Sequence, residues 1–421
     1  MIVTLRGSEI NGQVSAPPSK SMTHRVLVLS ALADGCSTIL NPLSSDDTAA
    51  TISVLEALGV TFNRNNKEWI IHGDQIKAPK SPLICGESGT TLRFMTAICG
   101  LVKGKATLAG GPSLSKRPIQ PLVNAMNKLG VNCLCDNGFP PVDVEGVGHI
   151  EGGTVELPGD ISSQFVSAIL LVAPLAEKQI EISLTTPLES KPYVSMTMDA
   201  MRCFGSTPSA SSDMNSFTAP LGKYNPTKVS VEGDWSSAAY FLGAGALSGE
   251  VIIEGINPHS NQADKAILEI LDALNADVEF SNGEVRVRKS ELQGITWDLS
   301  DCPDLFPIVS SLCAVSNGES KLTGVRRLRY KESNRIVAMQ ECLKSMGVQI
   351  HVDENVVKIT GGHVKGAKID PHSDHRVAMS IAVLSLIAEE ETTIYNANCV
   401  SKSYPSFWHE LEVLGANIRR D

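Results

Sequence analysis

Aromatic side chains are scarce: Trp, Tyr and Phe make up 5% of the 421 residues. So thin a supply offers no platform on which nucleic-acid bases could stack. Positive charge is in deficit too, with 36 Lys and Arg against 46 Asp and Glu and a net charge of −10. That balance argues against nucleic acid or an anionic membrane as the main partner. No apolar run is long enough to span a bilayer; the longest, 165–176 and 377–388, are short and interrupted. The opening Met1-Ile-Val-Thr-Leu-Arg6 lacks the basic start and apolar stretch of a secretory signal. The ten cysteines form no CxxC pair and no dense framework, so reduced thiols in a cytoplasmic protein are expected. HExxH, G-x-S-x-G and Walker A motifs are all missing, which leaves zinc, nucleophile-elbow and P-loop chemistry without support. Gly243-Ala-Gly245 lies inside an apolar stretch, where close helix packing explains it better than a dinucleotide fingerprint.

What is present is a repeat. A short polar start precedes a nearly all-apolar helix at Ser21, Ser88, Ser162, Ser236, Asp304 and Asp374, spaced by 67, 74, 74, 68 and 70 residues. An amphipathic helix followed by a strand keeps step with it. That helix ends at Gly59, Gly130, Gly205, Gly347 and Gly415, with Asn275 in the remaining copy. These are the residues expected at a left-handed helix end. Two markers in register mean six copies of one supersecondary unit. A helix apolar on every side must be buried all round, so each unit is expected to keep one helix inside and one outside. Six units exceed one core, and two α/β domains of three units each follow. The break is expected near Leu221–Pro226, giving a first domain at 14–226 and a discontinuous second at 1–13 and 227–421. Met1–Gly12 is expected to supply the strand that the last unit lacks.

The helix starts are also where unusual polar residues collect. Pro17-Pro18 holds the incoming chain extended, and Ser19 or Ser21 is a candidate N-cap. Lys20 and Arg25 flank that start, where free N–H groups and the helix dipole favour an anion. Gly86–Thr91 forms a small-residue turn able to nest an anion. Ser162-Ser163-Gln164, Ser190–Tyr193, Asp301–Asp304, Tyr330–Arg335, Asp374-His375-Arg376 and Ser401–Ser403 continue the series. If the inner helices face one cleft, Lys20, Arg25, Arg93, Arg117, Lys331, Arg335, Arg376 and Lys402 converge there. That fits a small substrate with several negative groups. The four-residue spacing of Lys331 and Arg335 is expected to put both on one helix face, where a solvated salt-bridge face is the alternative. Asp304 and Glu332 are the carboxylates expected among the cations, one as base and one as acid.

These residues resemble the enolpyruvyl transferase family, in particular its branch acting on shikimate 3-phosphate. The segments carrying the resemblance are SKSMTHR (19–25), SGTTLR (88–93), KRPIQPLV (116–123), SSQF (162–165), SKPY (190–193), VEGDWSSAAYFL (231–242), CPDLFP (302–307), YKESNRI (330–336), SDHRVAMS (373–380) and SKSYPSFW (401–408). The resemblance implies two similar domains, each an inside-out α/β barrel of three βαβαββ-like units, with substrates bound between them. It implies transfer of the enolpyruvyl group of phosphoenolpyruvate to the 5-hydroxyl of shikimate 3-phosphate, with no metal or organic cofactor. Lys20, Ser21, Arg25, Ser162, Ser163, Gln164, Ser190, Tyr193, Asp304 and Lys331 are implied ligands of shikimate 3-phosphate. Lys20, Gly89, Arg117, Gln164, Arg335, Arg376 and Lys402 are implied ligands of phosphoenolpyruvate. Asp304 is the implied base, helped by Lys20. Glu332 is the implied acid, with Lys20 as the alternative and His375 assisting. A cytoplasmic monomer is expected.

The chain departs from the family pattern at two places. Glu87 stands where many members carry Asn, and a carboxylate beside the anion pocket is expected to weaken phosphoenolpyruvate binding. Phe94 follows Arg93 where many members have Pro. The sister activity on UDP-N-acetylglucosamine usually carries a reactive loop Cys after paired glycines, and 110–117 has none. That activity, and a catalytically dead anion-binding relative, are the alternatives.

Overall fold

The computed structural model describes residues 1–65, 67–73, 76–281 and 283–421. Apolar helices run over Lys20–Leu32, Gly89–Cys99, Ser163–Val172, Trp235–Ser248, Phe306–Cys313 and His375–Ser385. In five of the six a short polar side chain caps the first turn. Ser19, Ser88, Ser162, Asp234 and Asp374 accept from Met22 N, Thr91 N, Gln164 N, Ser237 N and Arg376 N. Each satisfies a donor that the helix itself leaves free. The helix Phe306–Cys313 is entered instead through a 3-10 turn, Pro303–Leu305. Among the described residues no helix is long and apolar enough to cross a membrane.

Four of the apolar helices join the first two strands of one four-stranded sheet, whereas Lys20–Leu32 and Trp235–Ser248 each lead from a strand of one sheet to a strand of another. Leu83–Ile84 runs parallel to Lys103–Ala109. That strand pairs antiparallel with Phe139–Val147, which pairs antiparallel with Asn132–Asp136. The order, first–second–fourth–third, recurs in all six sheets. Three sheets take a strand from far along the chain. Lys228–Ser230 returns to open the first sheet beside Gly35–Leu40. Val3–Arg6 completes the last, between Thr392–Ile394 and Asn417–Arg420. Ile10–Ser15 then opens the sheet that continues with Gly249–Glu254.

The chain forms two compact units, Pro18–Glu232 and Met1–Pro17 with Gly233–Asp421. The crossings lie a few residues later than the sequence suggested. Strand 228–230 is bound into the first unit's sheet, and Ser19 N donates to Glu232 O, so the chain leaves only at 232. Asp234 N in turn donates to Pro17 O within the other unit. Each unit contains three of the sheets.

Outer helices cover the sheets at Asp46–Ala57, Gln120–Lys128, Lys191–Cys203, Ile267–Ala273, Arg335–Ser345 and Phe407–Val413. The residues expected at their ends all have positive φ: 97, 87, 88, 85 and 108° at Gly59, Gly130, Gly205, Gly347 and Gly415, and 64° at Asn275. A second glycine role follows from packing. Gly73, Gly146 and Gly361 lie at the ends of the strands that close their sheets, against the last carbonyls of the inner helix or the turn after it. A Cβ on Gly146 would come within 2.2 Å of Val102 O and 2.7 Å of Cys99 O. Backbone cannot retreat as a side chain can, so Gly146→Ala is expected to cost about 1–3 kcal/mol of stability. Thermal unfolding checks this; an unchanged midpoint would mean that strand and helix are not held at that spacing.

Candidate active site

In the unit 18–232 the site residues sit at the starts of helices Lys20–Leu32, Gly89–Cys99, Ser163–Val172 and Lys191–Cys203. Lys20 Nζ lies 2.9 Å from Asp47 Oδ2, with both side chains mostly covered. Asp47 stands in the first turn of helix Asp46–Ala57, whose start is fixed by a capping box between Ser45 and Thr48. Arg25 is 2% exposed and donates to Thr197 Oγ1, Ser21 O and Tyr193 O, each at 2.8 Å. Its guanidinium also faces the Phe94 ring at 5.6 Å. Burial draws Arg25 down to about 10, against the opposing pull of Tyr193. A buried relay binds the starts together: His24 Nδ1 to Thr51 Oγ1, Thr51 to Thr91, and Thr91 to Ser88 Oγ, each 2.7 Å. Burial holds His24 neutral, near 3, with Asp47 opposing and Lys20 and Arg25 reinforcing.

Gln164 links two of these starts. Its Oε1 accepts from Arg93 at 2.6 Å and its Nε2 donates to Thr90 Oγ1 at 2.9 Å. Gly89 lies beneath two guanidinium groups: a Cβ there would be 3.0 Å from NH1 of both Arg93 and Arg117. The missing side chain leaves a cationic recess at a helix start, suited to an anion. Ser190, 3% exposed, has φ 57° and ψ 46°, so the chain enters helix Lys191–Cys203 through a strained residue. Glu87 does not lie open beside this recess. Its carboxylate accepts from Leu114 N at 2.8 Å and Ser113 N at 3.3 Å.

The other unit gathers the carboxylates. Arg335, 1% exposed, opens the helix Arg335–Ser345. Its NH1 lies 2.6 Å from Asp304 Oδ1, its NH2 2.5 Å from Glu332 Oε2, and its Nε 2.9 Å from Asp374 Oδ2. Asp304 also receives Lys331 Nζ at 3.2 Å and Arg376 NH2 at 3.1 Å. Asp374 caps the helix His375–Ser385 through Arg376 N and accepts from Ser333 Oγ at 3.1 Å. Lys402 Nζ donates to Ser373 O at 2.8 Å. His375 is fully buried. Behind Arg376 stands Asp264, 1% exposed, 4.0 Å from Arg376 NH1 and hydrogen-bonded by Ser236 Oγ.

Burial alone would raise the Asp304 carboxyl. The charges of Arg376, Lys331 and Arg335 override it and hold Asp304 well below the usual carboxylate range. Burial draws Lys331 down to about 8, with Asp304 opposing and Arg335 and Arg327 adding to the fall. Arg335 stays firmly cationic, because Asp374, Glu332 and Asp304 outweigh its burial. Asp264 behaves oppositely to Asp304: burial and the neighbouring Asp304 push it up to about 7, with Arg376 and Ser236 restraining the rise.

The structure thus brings Asp304, Lys331, Glu332, Arg335 and Arg376 into one cluster. It joins Ser21, Arg25 and Tyr193 in another, and Gly89 with Arg117 in a third. The expected helix face for Lys331 and Arg335 does not exist. Lys331 follows the 3-10 turn Arg326–Tyr330, the next helix begins only at Arg335, and the two meet at Asp304 Oδ1 across a bend. Asp47, Asp264 and Asp374 escaped assignment as site residues. Asp374 had a sequence signal, as the polar residue opening the sixth unit, and Asp47 a weaker one beside a capping box. Asp264 had none, since its partners are 28, 40 and 112 positions away in the chain (Ser236, Asp304 and Arg376).

Residues 5–411 match the family described as EPSP synthase (3-phosphoshikimate 1-carboxyvinyltransferase). A 3-phosphoshikimate 1-carboxyvinyltransferase of Methanocorpusculum labreanum is 40% identical over 419 residues, 98% of each chain. One from Dehalococcoides mccartyi is 40% identical over 423 residues, all of both chains. Among solved structures, EPSP synthase from Acinetobacter baumannii superposes with a TM-score of 0.82 at 27% identity, covering 100% of both chains.

The Asp264 environment gives a signed test. Its usual value of 3.8 rises to about 7 on folding, so between those values the folded chain holds a proton that the unfolded chain has released. Stability is therefore lost as pH rises through that window, and the penalty is complete above about 7. Asp264→Asn carries no such penalty. The variant's melting temperature relative to the native chain is expected to shift upward between pH 5 and pH 8. A difference that is flat with pH would contradict the buried acid.

Proposed function

The chain belongs to the EPSP synthase family, and on that premise we infer that it is a 3-phosphoshikimate 1-carboxyvinyltransferase. It transfers the enolpyruvyl group of phosphoenolpyruvate to the 5-hydroxyl of shikimate 3-phosphate and releases phosphate. In this reading each unit is an inside-out barrel, its sheets around its apolar helices. Ser21, Arg25, Ser162, Ser163, Gln164, Ser190 and Tyr193 hold shikimate 3-phosphate, with Lys20 and Lys331 beside them. Lys20, Gly89, Arg117, Gln164, Arg335, Arg376 and Lys402 hold the carboxylate and phosphate of phosphoenolpyruvate. Asp304 is assigned to the 5-hydroxyl of shikimate 3-phosphate. All the assigned groups lie on one chain, and the reading keeps the expectation of a monomer in the cytoplasm.

The chemistry is proton transfer on a charged frame. Asp304 takes the proton of the 5-hydroxyl as its oxygen adds to C2 of phosphoenolpyruvate. Glu332, a carboxylate on Arg335 at rest, takes a proton from solvent once phosphoenolpyruvate competes for that guanidinium, and as the acid it protonates C3, giving the tetrahedral adduct. Elimination returns the methyl proton to Glu332 as the C2–O bond to phosphate breaks, and Lys20 steadies the departing charge. At rest Asp304 is a weak base, because Arg335, Arg376 and Lys331 all bear on it. The anionic groups of phosphoenolpyruvate compete for Arg335 and Arg376, which loosens their hold and makes Asp304 a better proton acceptor when substrate is present. His375 is fully buried, so its part is to shape the start of its helix beside Arg376.

The observation that carries the reading is the convergence of Asp304 and Glu332 on one buried Arg335. Phosphate release from phosphoenolpyruvate is the test. Release is expected with shikimate 3-phosphate and not with UDP-N-acetylglucosamine; the reverse would assign the sister activity. Asp304→Ala is expected to lower turnover by at least roughly 10²-fold while shikimate 3-phosphate still binds. Near-normal turnover in that variant would remove Asp304 as the base.

A further inference from the structure

Glu87 stands two residues before Gly89 in the chain, where sequence position alone would set its carboxylate against an anionic substrate. The geometry points elsewhere. Glu87 immediately precedes Ser88, the N-cap of helix Gly89–Cys99, and Ser88 N donates to Cys85 O at 3.1 Å. Its backbone is therefore fixed to the helix start. Its side chain reaches across to another segment, 110–117, where Oε2 accepts from Leu114 N and Oε1 from Ser113 N. The two segments touch a second time through Gly111 N and Gly86 O at 2.7 Å. The approach is so close that a Cβ on Gly111 would lie 2.3 Å from Glu87 Oε1.

The segment so gripped leads straight to Arg117. Leu114–Lys116 is a single 3-10 turn, closed by Arg117 N donating to Leu114 O at 3.0 Å. Ser115 Oγ donates back to Gly110 O and Gly111 O at 3.2 and 2.9 Å. Leu114 is fully buried. Arg117 NH2 donates to Ser113 Oγ at 3.4 Å, and its NH1 sits over Gly89. Both donors that Glu87 receives therefore belong to the turn that aims the guanidinium. The carboxylate charge is engaged by two backbone N–H groups, the stronger kind of hydrogen bond.

We propose that Glu87 is a positioning residue: it latches the 110–117 turn to the start of helix Gly89–Cys99 and so sets Arg117 over Gly89. An Asn at 87 reaches one methylene less far and offers one acceptor oxygen, so it cannot make the same two-pronged grip. The proposal rests on the reading of Arg117 as a phosphoenolpyruvate ligand.

The test is steady-state kinetics of phosphate release for Glu87→Ala, Glu87→Gln, Arg117→Ala and the double variant Glu87→Ala/Arg117→Ala. Loss of the latch is expected to raise the phosphoenolpyruvate KM at least ~10-fold, with the KM for shikimate 3-phosphate within about twofold of native. Glu87→Gln keeps the reach and one acceptor, and is expected to fall between Glu87→Ala and the native chain. In the Arg117→Ala background the Glu87→Ala change is expected to add nothing, because the two act as one unit. If Arg117→Ala itself leaves the phosphoenolpyruvate KM unchanged, the reading of Arg117 fails and takes the latch with it. If Arg117→Ala is impaired but Glu87→Ala is native-like, or the two effects add, the latch alone is overturned. A general loss of structure would raise both KM values together, and that outcome also overturns it.

Discussion

A guanidinium buried to 1% exposure cannot stand alone in a protein interior. Arg335 meets that constraint by holding Asp304, Glu332 and Asp374 at once, one carboxylate for each of its three nitrogens. Removing any partner would strand charge, so the four residues behave as one object. Each carboxylate belongs to a different stretch: a 3-10 turn, the bend before Arg335, and the cap of helix His375–Ser385. The pairings fix those stretches relative to one another and place both proposed proton-transfer groups on a single frame. Two charges in excess of what Arg335 can neutralise would be costly there. Lys331 and Arg376 bring the balance back, and Asp264 is pushed toward its neutral form behind them.

The same repeated scaffold serves two chemistries. In every copy an apolar helix starts shortly after a strand ends, and its first turn carries N–H groups that the helix itself leaves free. In the unit 18–232 the starts are furnished with hydroxyls, Gln164 and guanidinium groups, which suits recognition of oxygen-rich anions. In the other unit the starts carry Asp234, Asp304 and Asp374, which suits proton transfer and the holding of cations. Glycines keep the frame tight: Gly73, Gly146 and Gly361 let a strand end lie directly on helix or turn carbonyls.

The periodic features were legible in the sequence because they depend on residues close together in the chain. The buried helices and the left-handed ends at Gly59 through Gly415 and Asn275 follow from local pattern and spacing, while the strand contributed by Val3–Arg6 followed from counting units, the last of which is one strand short. What depends on side-chain reach was not. Helical spacing suggested a shared face for Lys331 and Arg335, but Ser333 and Asn334 serve Asp374 and the helix cap, and the helix starts late. Asp47 and Asp264 read as ordinary acids until folding brings them to Lys20 and Arg376, 27 and 112 positions away. Glu87 shows the limit most plainly. Its position in the chain is beside the anion recess, yet its oxygens point to Ser113 and Leu114, and only the backbone of a separate segment explains why.

If one guanidinium orders both carboxylates, its geometry should matter and its charge alone should not suffice. Arg335→Lys separates the two: it keeps the positive charge and loses the three-way fork. The most direct measurement is turnover with shikimate 3-phosphate and phosphoenolpyruvate in that variant, on protein shown to be folded. The account predicts a fall of roughly 10³-fold or more, as for loss of preorganised electrostatics. Turnover within a few-fold of the native chain would contradict it, and would mean that Asp304 and Glu332 are ordered by something other than Arg335.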